Sequence, residues 1–438
     1  MKPFPIFLLI AVSVSGATSS PALEINPALL DQLVAEARGQ NPALEAAAVR
    51  VQAANASVGS VRTWDDPTAS FGIWASGPGG FGASEQGNLV YGLDQKLPLQ
   101  NRPQLARKVA EADAERERFA ADFEGLKLRR ELTLGLLNLA LASRKADLAE
   151  ADLAWLETTA ASVDHRYRVG QASQVDWLKA QTAAALASND LTTERAERDH
   201  AWFSVNRLLN RELHAPWPDI AVPALRPSVG YTPELIAAAL DSEPWLRVLR
   251  QENVSAQAMA DLTHQARLPD VRVGLQAWQY SGNGSLKQAM ATVSFSVPWF
   301  NRRKYDSDWK RDQERKRASV LEAEDYSLSI REELHHHVID LDTARRQAVL
   351  YQGQLIPLAE QTLASAQIAW EHGLGSFQEI LDAHRLLVAD QLGLAQSLTE
   401  QGSLLAGLCF LTGSRDPATV VSLGRSEPIH TDNTPPVP

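Results

Sequence analysis

Two carboxylates stand close together in the segment EHGLGSFQEILDAH, residues 371–384. Glu379 and Asp382 are three residues apart, a spacing that puts both side chains on one face of a helix. Such a pair concentrates negative charge and favours cations over anions. The alternative interpretation is an ordinary acidic pair on a solvated helix face.

A related segment, RVGQASQVDWLKAQ, occupies residues 168–181. It contains one acid, Asp176, and Lys179 stands where the second acid would fall. The glycines of the two segments are Gly170, Gly373 and Gly375. Because glycine accepts positive φ angles, each segment predicts a tight reversal of the chain between two helices.

No residue pattern typical of an enzyme stands out. His335, His336 and His337 are consecutive, so they point about 100° apart on a helix, whereas chelation by a helix uses positions i and i+4. The sequence has no glycine-rich phosphate loop, Ser/His/Asp order or Cys/His cluster. It therefore predicts no catalytic residue, no metal site and no cofactor. An exported metallohydrolase that uses the histidine run is the enzyme alternative.

Composition limits the classes of protein that remain. The chain has 438 residues and is 45% hydrophobic, which allows two or three domains and a large core. A net charge of −11, with no basic tract to offset it, argues against a nucleic-acid partner. Cys409 is the single cysteine, so no disulfide forms within the chain.

Residues 1–22 are typical of an export signal. One lysine precedes an apolar run from Phe4 to Val14, and small residues predict cleavage after Ala17 or Ala22. After this segment no run of about eighteen apolar residues occurs, so the sequence predicts no membrane-spanning helix. A mature chain that enters a membrane must therefore do so as β-strands.

The sequence resembles itself at an offset of about 200 residues, which predicts a tandem duplication. The matching landmarks are Asn41-Pro42 with Glu243-Pro244, LPLQNRP (97–103) with VPWFNRR (297–303), and Gly170 with Gly373. The predicted repeats cover residues 23–212 and 232–413. A proline-rich linker at 213–231 joins them, and a flexible tail follows at 414–438.

Each repeat predicts the same order of elements: a helix, a hairpin of two strands, a very long helix and a returning helix. Hydrophobicity with period two marks the hairpins at 67–98 and 269–300, whose strands of about ten residues match a tilted bilayer crossing. The predicted helices cover 43–62, 102–167 and 174–211 in the first repeat and 245–267, 302–370 and 376–411 in the second. The long helices reach close to 100 Å, and Pro357 should kink or restart one of them.

Four membrane strands cannot form a closed structure alone, because the two sheet edges would expose unpaired backbone groups to lipid. Two copies would supply eight strands and a barrel filled by side chains. Three copies would supply twelve strands and an open lumen, and geometry favours three.

The repeated order of elements, the two glycine segments and the LPLQNR exit from the strands resemble the TolC family of outer-membrane efflux channels. The LPLQNR and VPWFNRR segments are similar to its CzcC/CusC-like metal-efflux branch. The resemblance implies a mainly α fold with membrane β: a homotrimer with a twelve-stranded outer-membrane β-barrel on a twelve-helix coiled-coil periplasmic tunnel. It also implies a periplasmic adaptor and an inner-membrane pump of the RND type as partners.

The resemblance also implies roles for residues. Glu379, Asp382 and Asp176 would form the periplasmic aperture. The helix tips that contact the adaptor would be Val169, Gly170, Gln171, His372, Gly373, Leu374 and Gly375, with ordinary helix-hairpin turns as the alternative. The cations Arg102, Arg302 and Arg303 follow membrane strands, where they are expected near anionic outer-membrane lipid, with solvated helix starts as the alternative. The implied function is an outer-membrane exit channel of a tripartite efflux system for metal ions or drugs. The alternatives are a type I protein secretion channel and a soluble exported coiled-coil scaffold.

Overall fold

The structure is a computed structural model that describes residues 23–61, 64–73, 89–99, 101–280 and 284–425. The predicted export signal lies outside the described residues. The α-helices of the described part are α1 (Pro27–Gln40), α2 (Pro42–Ser60), α3 (Arg102–Arg168), α4 (Gln174–Leu209), α5 (Pro233–Ser242), α6 (Pro244–Gln265), α7 (Arg302–Leu350), α8 (Ile356–Glu371), α9 (Phe377–Leu411) and α10 (Pro417–Leu423). The strands are β1 (Thr68–Ile73), β2 (Leu89–Lys96), β3 (Val271–Gln279) and β4 (Leu286–Phe295). The prediction of a mainly helical chain is confirmed, with four strands among the described residues.

Proline begins most of these helices, because the first helical turn does not use its N–H. The N-cap residues Asn41 and Glu243 precede α2 and α6. Asn41 Oδ1 accepts a hydrogen bond from the Ala43 N–H at 2.8 Å, and Glu243 Oε2 accepts one from the Leu246 N–H at 2.5 Å. The predicted helix starts at the two X-Pro pairs are confirmed, and each side chain satisfies a backbone N–H.

The strands form one antiparallel sheet in the order β1-β2-β3-β4. β2 and β3, from opposite halves of the sequence, are neighbours at the centre of the sheet, with Leu93 opposite Leu275. In the described part of the chain, β1 and β4 each pair on one side only. The sheet therefore has two open edges.

The two faces of the sheet differ in polarity. Directly opposed residues of antiparallel strands point to the same face. One such row holds Phe71, Tyr91, Ala277 and Ala289, and a row on the other face holds Thr68, Asp94, Gly274 and Thr292. A Cβ at Gly274 would collide with the Asp94 carboxylate, so glycine lets this acid lie flat on the polar face. The predicted alternation of apolar and polar positions is confirmed.

Helix α3 has 67 residues and is therefore about 100 Å long. It packs along α4 within its own hairpin and along α6 and α9 from the second half of the chain. Leucines such as Leu132, Leu136 and Leu139 bury its central part against α1 and α4. A further core near the glycine turns contains Leu156 and Val163 of this helix. The long helix thus connects the central core to the helix tips.

The helix opposite α3 in the second half is interrupted before Pro357, as predicted. A π-helical turn, Tyr351–Leu355, separates α7 from α8, and Pro357 lies in the first turn of α8, where its missing N–H is tolerated. The Tyr351 ring packs directly over Gly393 of α9, where a Cβ would collide with it.

The proline-rich linker is ordered over its described length. The buried Asn206 donates through Nδ2 to the carbonyls of Leu213 and Ala215 at 2.9 and 2.8 Å. Its Oδ1 accepts from Trp217 Nε1 at 2.7 Å. Ile220 pairs with Leu23 in a short parallel bridge. These contacts hold the linker against the hydrophobic core of the first half of the chain.

The prediction of a flexible tail after Gly413 is wrong for its first part. Residues Pro417–Leu423 form α10, and Val420 is fully buried in the core of the second half. Thr232 Oγ1 donates to the Leu423 carbonyl at 2.7 Å, which holds the end of this helix against the start of α5. Residues 426–438 lie outside the described part. Among the described residues, no helix combines the length and the apolar character needed to cross a bilayer.

Candidate functional site at the helix tips

The helical hairpins α3/α4 and α8/α9 turn through the same backbone geometry. Gly170 and Gly373 have φ angles of +77° and +72°. After α3, the Gly170 N–H donates to the Tyr167 carbonyl at 3.0 Å and the Gln171 N–H to the Arg166 carbonyl at 2.8 Å. After α8, Gly373 and Leu374 repeat this pattern at 3.1 and 2.8 Å. Both turns are Schellman motifs, so positive φ explains these two glycines.

Gly375 has a different role from the predicted one. It is not among the glycines with positive φ. A Cβ at this position would lie 3.1 Å from Ala369 Cβ and 3.3 Å from the Trp370 nitrogen. Any other residue would therefore crowd the end of α8, because the chain passes close to it.

Two of the three predicted aperture acids cap their own helices. Ser376 Oγ accepts from the Glu379 N–H at 3.3 Å, and Glu379 Oε2 accepts from the Ser376 N–H at 3.0 Å, a complete capping box. In the first hairpin, Ser173 Oγ accepts from the Asp176 N–H at 3.1 Å and donates to Asp176 Oδ2 at 2.8 Å. Both acids therefore stabilise the starts of α4 and α9.

Asp382 makes no cap. Its side chain is 61% exposed, Gln378 Nε2 donates to its Oδ1 at 2.8 Å, and Arg385 Nη1 lies 4.0 Å away. Asp382 and Glu379 both line the groove between α8 and α9. The prediction that the two acids share one face is confirmed, and Asp382 is the one of the two that does not cap its helix.

This groove continues up the hairpin on the same face. Its walls are small or apolar, with Leu358, Ala366 and Ala369 on α8 and Ala383 and Leu386 on α9. The opposite face of α9 carries Phe377, Leu381 and His384, which are buried. The groove is therefore turned away from the first hairpin of its own chain.

Three side-chain contacts join the two tips. Arg166 lies 3.9 Å above the Trp370 ring and donates through Nη1 to the Trp370 carbonyl at 3.2 Å. Lys179 Nζ donates to Gln378 Oε1 at 2.9 Å. Sequence analysis missed the Arg166 contact because its two residues are far apart in the chain.

The third contact is made by a buried histidine, His384, with Asp152 of α3. His384 Nε2 lies 2.7 Å from Asp152 Oδ1, and the imidazole stacks on Trp155 with ring centroids 3.6 Å apart. Asp152 and Trp155 are three residues apart on α3, so a single face of that helix holds the ring. This pair too was missed, since neither half carries a sequence signal for the other.

The outer surface of the tips is apolar and accessible. Leu374 is 86% exposed, and Val169, Gln171 and His372 are exposed as well. Exposed leucine and valine beside glycine turns form a surface that suits docking of another protein.

The three predicted strand-end cations have different surroundings. Arg102 is engaged within the chain: its guanidinium pairs with Asp270 and donates to the carbonyls of Gln265 and Leu268. Arg102 therefore caps the end of α6. Arg302 is exposed and 3.4 Å from Asp306, and Arg303 is exposed.

The histidine run points in several directions, as expected from its spacing. His335 meets the Tyr231 ring edge-on at 5.0 Å, and His336 lies 3.3 Å from Asp340. His337 packs beside Gly407 of α9. Within the described residues, no three His, Cys, Asp or Glu side chains come together in a group that could hold a metal ion.

Together these features define a class of protein: paired helical hairpins with glycine turns at one end and a narrow two-faced sheet at the other. The sequence profile of the outer membrane efflux protein family matches residues 33–211 and again residues 235–414. The chain therefore belongs to the outer membrane efflux protein family.

Known relatives agree with this assignment. The chain is 25% identical over 306 residues to the cobalt-zinc-cadmium resistance protein CzcC of Cupriavidus metallidurans, which covers 66% of this chain and 69% of CzcC. The structure is similar to VceC of Vibrio cholerae, with a TM-score of 0.76 at 16% identity over 88% of this chain and 96% of VceC. It is similar to CusC with the same score and identity, over 94% and 99%. The structural matches establish the fold.

The predicted resemblance is thus confirmed. The chain is an outer-membrane efflux protein whose long helices extend into the periplasm. Its family and fold are those of channel proteins rather than enzymes. The alternative of a soluble exported scaffold is excluded by family membership.

Proposed function

We propose that this chain is the outer-membrane exit channel of a tripartite efflux system. It receives solutes from an inner-membrane pump of the RND type through a periplasmic adaptor and releases them outside the cell. The observation that carries the proposal is the four-stranded sheet, which has one apolar face and one polar face and stands at the end of a helix of 67 residues. An apolar face suits lipid, and a polar face suits a water-filled lumen.

The channel is a homotrimer in this proposal. The open edges of β1 and β4 would leave backbone N–H and C=O groups unpaired in lipid. If β1 of one copy pairs with β4 of the next, every edge is satisfied. Three copies then give a twelve-stranded barrel with an open lumen. The α3/α4 and α8/α9 hairpins of the three copies form the tunnel below it.

The tips form the gate and the docking surface. Three Asp382 carboxylates around the axis supply negative charge at the narrow end and favour cations. Glu379 and Asp176 contribute chiefly by holding the helix starts in place. The exposed Val169 and Leu374 contact the adaptor, because their apolar surface is accessible at both turns.

Divalent metal cations are the proposed solute class. The support is the relationship to CzcC, whose name states resistance to cobalt, zinc and cadmium, over two thirds of this chain. The exposed Asp382 at the tip also favours cations, since a ring of carboxylates admits cations more readily than anions. Drugs and dyes are the competing solutes, and secreted polypeptides are a third class.

A purified sample tests the assembly. The full chain is extracted in mild detergent, its mass is measured by light scattering, and its conductance is recorded in planar bilayers. Particles of three chains that form cation-preferring pores are expected. Particles of one chain, or a trimer that never conducts, would overturn the proposed channel.

A deletion strain tests the solute. Loss of resistance to zinc, cobalt or cadmium, restored by the wild-type gene, is expected, with resistance to dyes unchanged. A strain that becomes sensitive to dyes alone would contradict metal efflux. A strain that loses an exported polypeptide and keeps its metal resistance would favour type I secretion.

A further inference from the structure

We propose that the cavity between α1, α3, α9 and the start of α10 binds a small organic carboxylate with a short apolar body. The cavity has a volume of about 480 Å³, which is within the range of small-molecule sites. Its walls belong to a single chain and lie near the middle of the 67-residue helix α3, far from both the sheet and the glycine turns. The site is therefore separate from the proposed lumen and gate, and it does not depend on the transported solute.

The charged side chains around the cavity are all basic. Arg129, Arg130 and Arg415 line it, and among the described residues that line it there is no aspartate or glutamate. Burial raises the pKa of the Cys409 thiol in the cavity wall to about 12, so this side chain is neutral as well. A cavity with several cations and no anion in its wall attracts a negatively charged ligand.

Arg130 lies in the cavity wall without an anionic partner. It is half-buried, and its guanidinium carbon lies 5.2 Å from the centre of the Phe410 ring. Its Nε is buried without a hydrogen-bond partner, and no carboxylate of the described residues forms an ion pair with it. Arginine stays charged even when buried, and a buried charge is costly without a hydrogen-bonded counter-ion. A ligand carboxylate would supply that counter-ion.

One acid outside the cavity is influenced by Arg130. The pKa of the Glu333 carboxyl on α7 is lowered chiefly by His337, whose Nε2 lies 3.6 Å away, and to a smaller degree by the charge of Arg130. Glu333 does not line the cavity. It therefore does not take the place of a ligand there.

The other two arginines extend the positive charge. Arg129 donates through Nη1 to Asp31 Oδ1 at 2.5 Å and through Nη2 to the Arg415 carbonyl at 3.0 Å, so its guanidinium is held in place. The Asp31 side chain is 55% exposed, so water screens its charge and it offsets only part of that of Arg129. Arg415 is exposed, which places its charge where a ligand enters the cavity.

The rest of the wall is mostly apolar and would hold the body of the ligand. The apolar and small residues that line it are Leu30, Leu126, Gly402, Ala406, Phe410 and Pro417. A carboxylate matches the forked guanidinium group, and an apolar body would remove this part of the wall from water. An inorganic anion would use the arginines alone, so the lining favours an organic acid.

Protection of Cys409 tests the site. Cys409 is the single cysteine of the chain and lines the cavity, so intact mass follows its reaction with a neutral thiosulfonate in the detergent-purified full chain. The probe is hexanoate; hexanamide is its neutral counterpart, and acetate is a carboxylate without the apolar body. Hexanoate should slow the reaction in a saturable way and more strongly than acetate or hexanamide.

The three probes also define the results that would contradict the proposal. Equal protection by hexanoate and hexanamide would overturn the anion site, since the charge would then contribute nothing. Equal protection by hexanoate and acetate would overturn the role of the apolar wall. No protection by hexanoate would overturn the site as a whole.

Arg130→Gln tests the cation. It removes a charge-assisted hydrogen bond, so the concentration of hexanoate that gives half-maximal protection should rise at least about tenfold. The matched control is Arg345→Gln, because Arg345 is also half-buried, has a buried Nε without a partner and lies outside the cavity on α7. Equal effects of the two variants, or unchanged protection in Arg130→Gln, would contradict the role of Arg130.

A second variant covers the case in which Arg130→Gln perturbs the fold. Ala406→Leu fills the apolar end of the cavity and keeps all three arginines. Calorimetric titration with hexanoate should show binding to the wild type and no binding to Ala406→Leu, while both chains keep the same melting temperature without the probe. Wild-type affinity in Ala406→Leu would place the carboxylate elsewhere and overturn the proposal.

Discussion

The Arg166 guanidinium lies 3.9 Å above the ring of Trp370, 204 residues away in the chain, and donates to the carbonyl of the same residue at 3.2 Å. Arg166 is in the last turn of α3, and Trp370 is in the last turn of α8. One cationic side chain therefore joins the two hairpin tips immediately before their glycine turns. The tips of one chain are held as a pair, so movement at one turn is coupled to the other.

Arg166→Gln is expected to loosen this pair. A stacked cation contributes about 0.5–2 kcal/mol, so amide exchange at residues 368–375 should become about two to about thirty times faster. Hydrogen–deuterium exchange measured by mass spectrometry checks it. Arg168→Gln is the control, because Arg168 is largely exposed and pairs with Asp164 on its own helix. Equal effects of the two variants would contradict a specific role for Arg166.

Asp382 and Glu379 should behave differently when neutralised. Asp382→Asn removes the acid that is free of a cap, so the cation preference of the pore should fall severalfold in bilayer reversal-potential measurements. Glu379→Gln keeps a side chain that can complete the capping box, so selectivity should change less. Glu379→Ala should shift the start of α9 instead. If Glu379→Gln has the larger effect on selectivity, the assignment of the two roles is wrong.

The three tip glycines should differ in the substitutions that they tolerate. Gly170 and Gly373 need positive φ and have open space around the Cβ position, so asparagine should be tolerated there while valine is not. Gly375 is restricted by Ala369 and Trp370, so even alanine should destabilise the turn. Thermal unfolding of each variant checks this order. A tolerated Gly375→Ala together with a damaging Gly170→Asn would reverse the explanation.

Burial raises the pKa of the Glu243 carboxyl above its ordinary value of 4.5. Hydrogen bonds from the Leu246 and Trp245 N–H groups and from Tyr326 lower the pKa and offset only part of this effect. The unfolded chain therefore loses this proton first as the pH rises, and the stability of the fold falls until the buried carboxyl also ionises. Glu243→Gln keeps a cap and removes the titration. Its free energy of unfolding relative to wild type should increase from pH 4 to pH 7 in urea titrations.

The exposed Glu234, in the first turn of α5, provides the control for this prediction. Glu234→Gln should show no comparable trend with pH. A difference between Glu243→Gln and wild type that stays constant across this range would show that burial of Glu243 does not contribute to the pH dependence of stability.

Substitutions of Arg102 and Arg303 should have different effects, because Arg102 stabilises the fold and Arg303 is expected to face lipid. Arg102→Gln breaks the pair with Asp270 and leaves carbonyls at the end of α6 without their donor, so the melting temperature should drop by several degrees. Arg303→Gln should leave the melting temperature unchanged and weaken binding to vesicles that contain anionic lipid. Vesicle binding that depends on Arg102 and not on Arg303 would contradict this distinction.

Local pattern in the sequence determined much of the fold. A period of two fixed which residues of each strand share a face, because successive strand side chains point to opposite sides. The glycine segments determined the positions of both turns, since Gly170 and Gly373 occupy a backbone region that other residues avoid. The X-Pro pairs and Pro357 marked helix starts, because proline lacks an N–H. Each of these signals acts within a few residues of the chain.

Tertiary structure decided how the charged groups are used. Arg102 caps the end of α6 because folding brings carbonyls that are more than 160 residues away within hydrogen-bond distance of its guanidinium. Asp152 meets His384, and Arg166 meets Trp370, by the same kind of long-range packing. The first part of the tail is helical because Val420 packs into the hydrophobic core of the second half of the chain. A side chain's partner depends on which helices pack together, and the spacing of one helix carries no information about its neighbour.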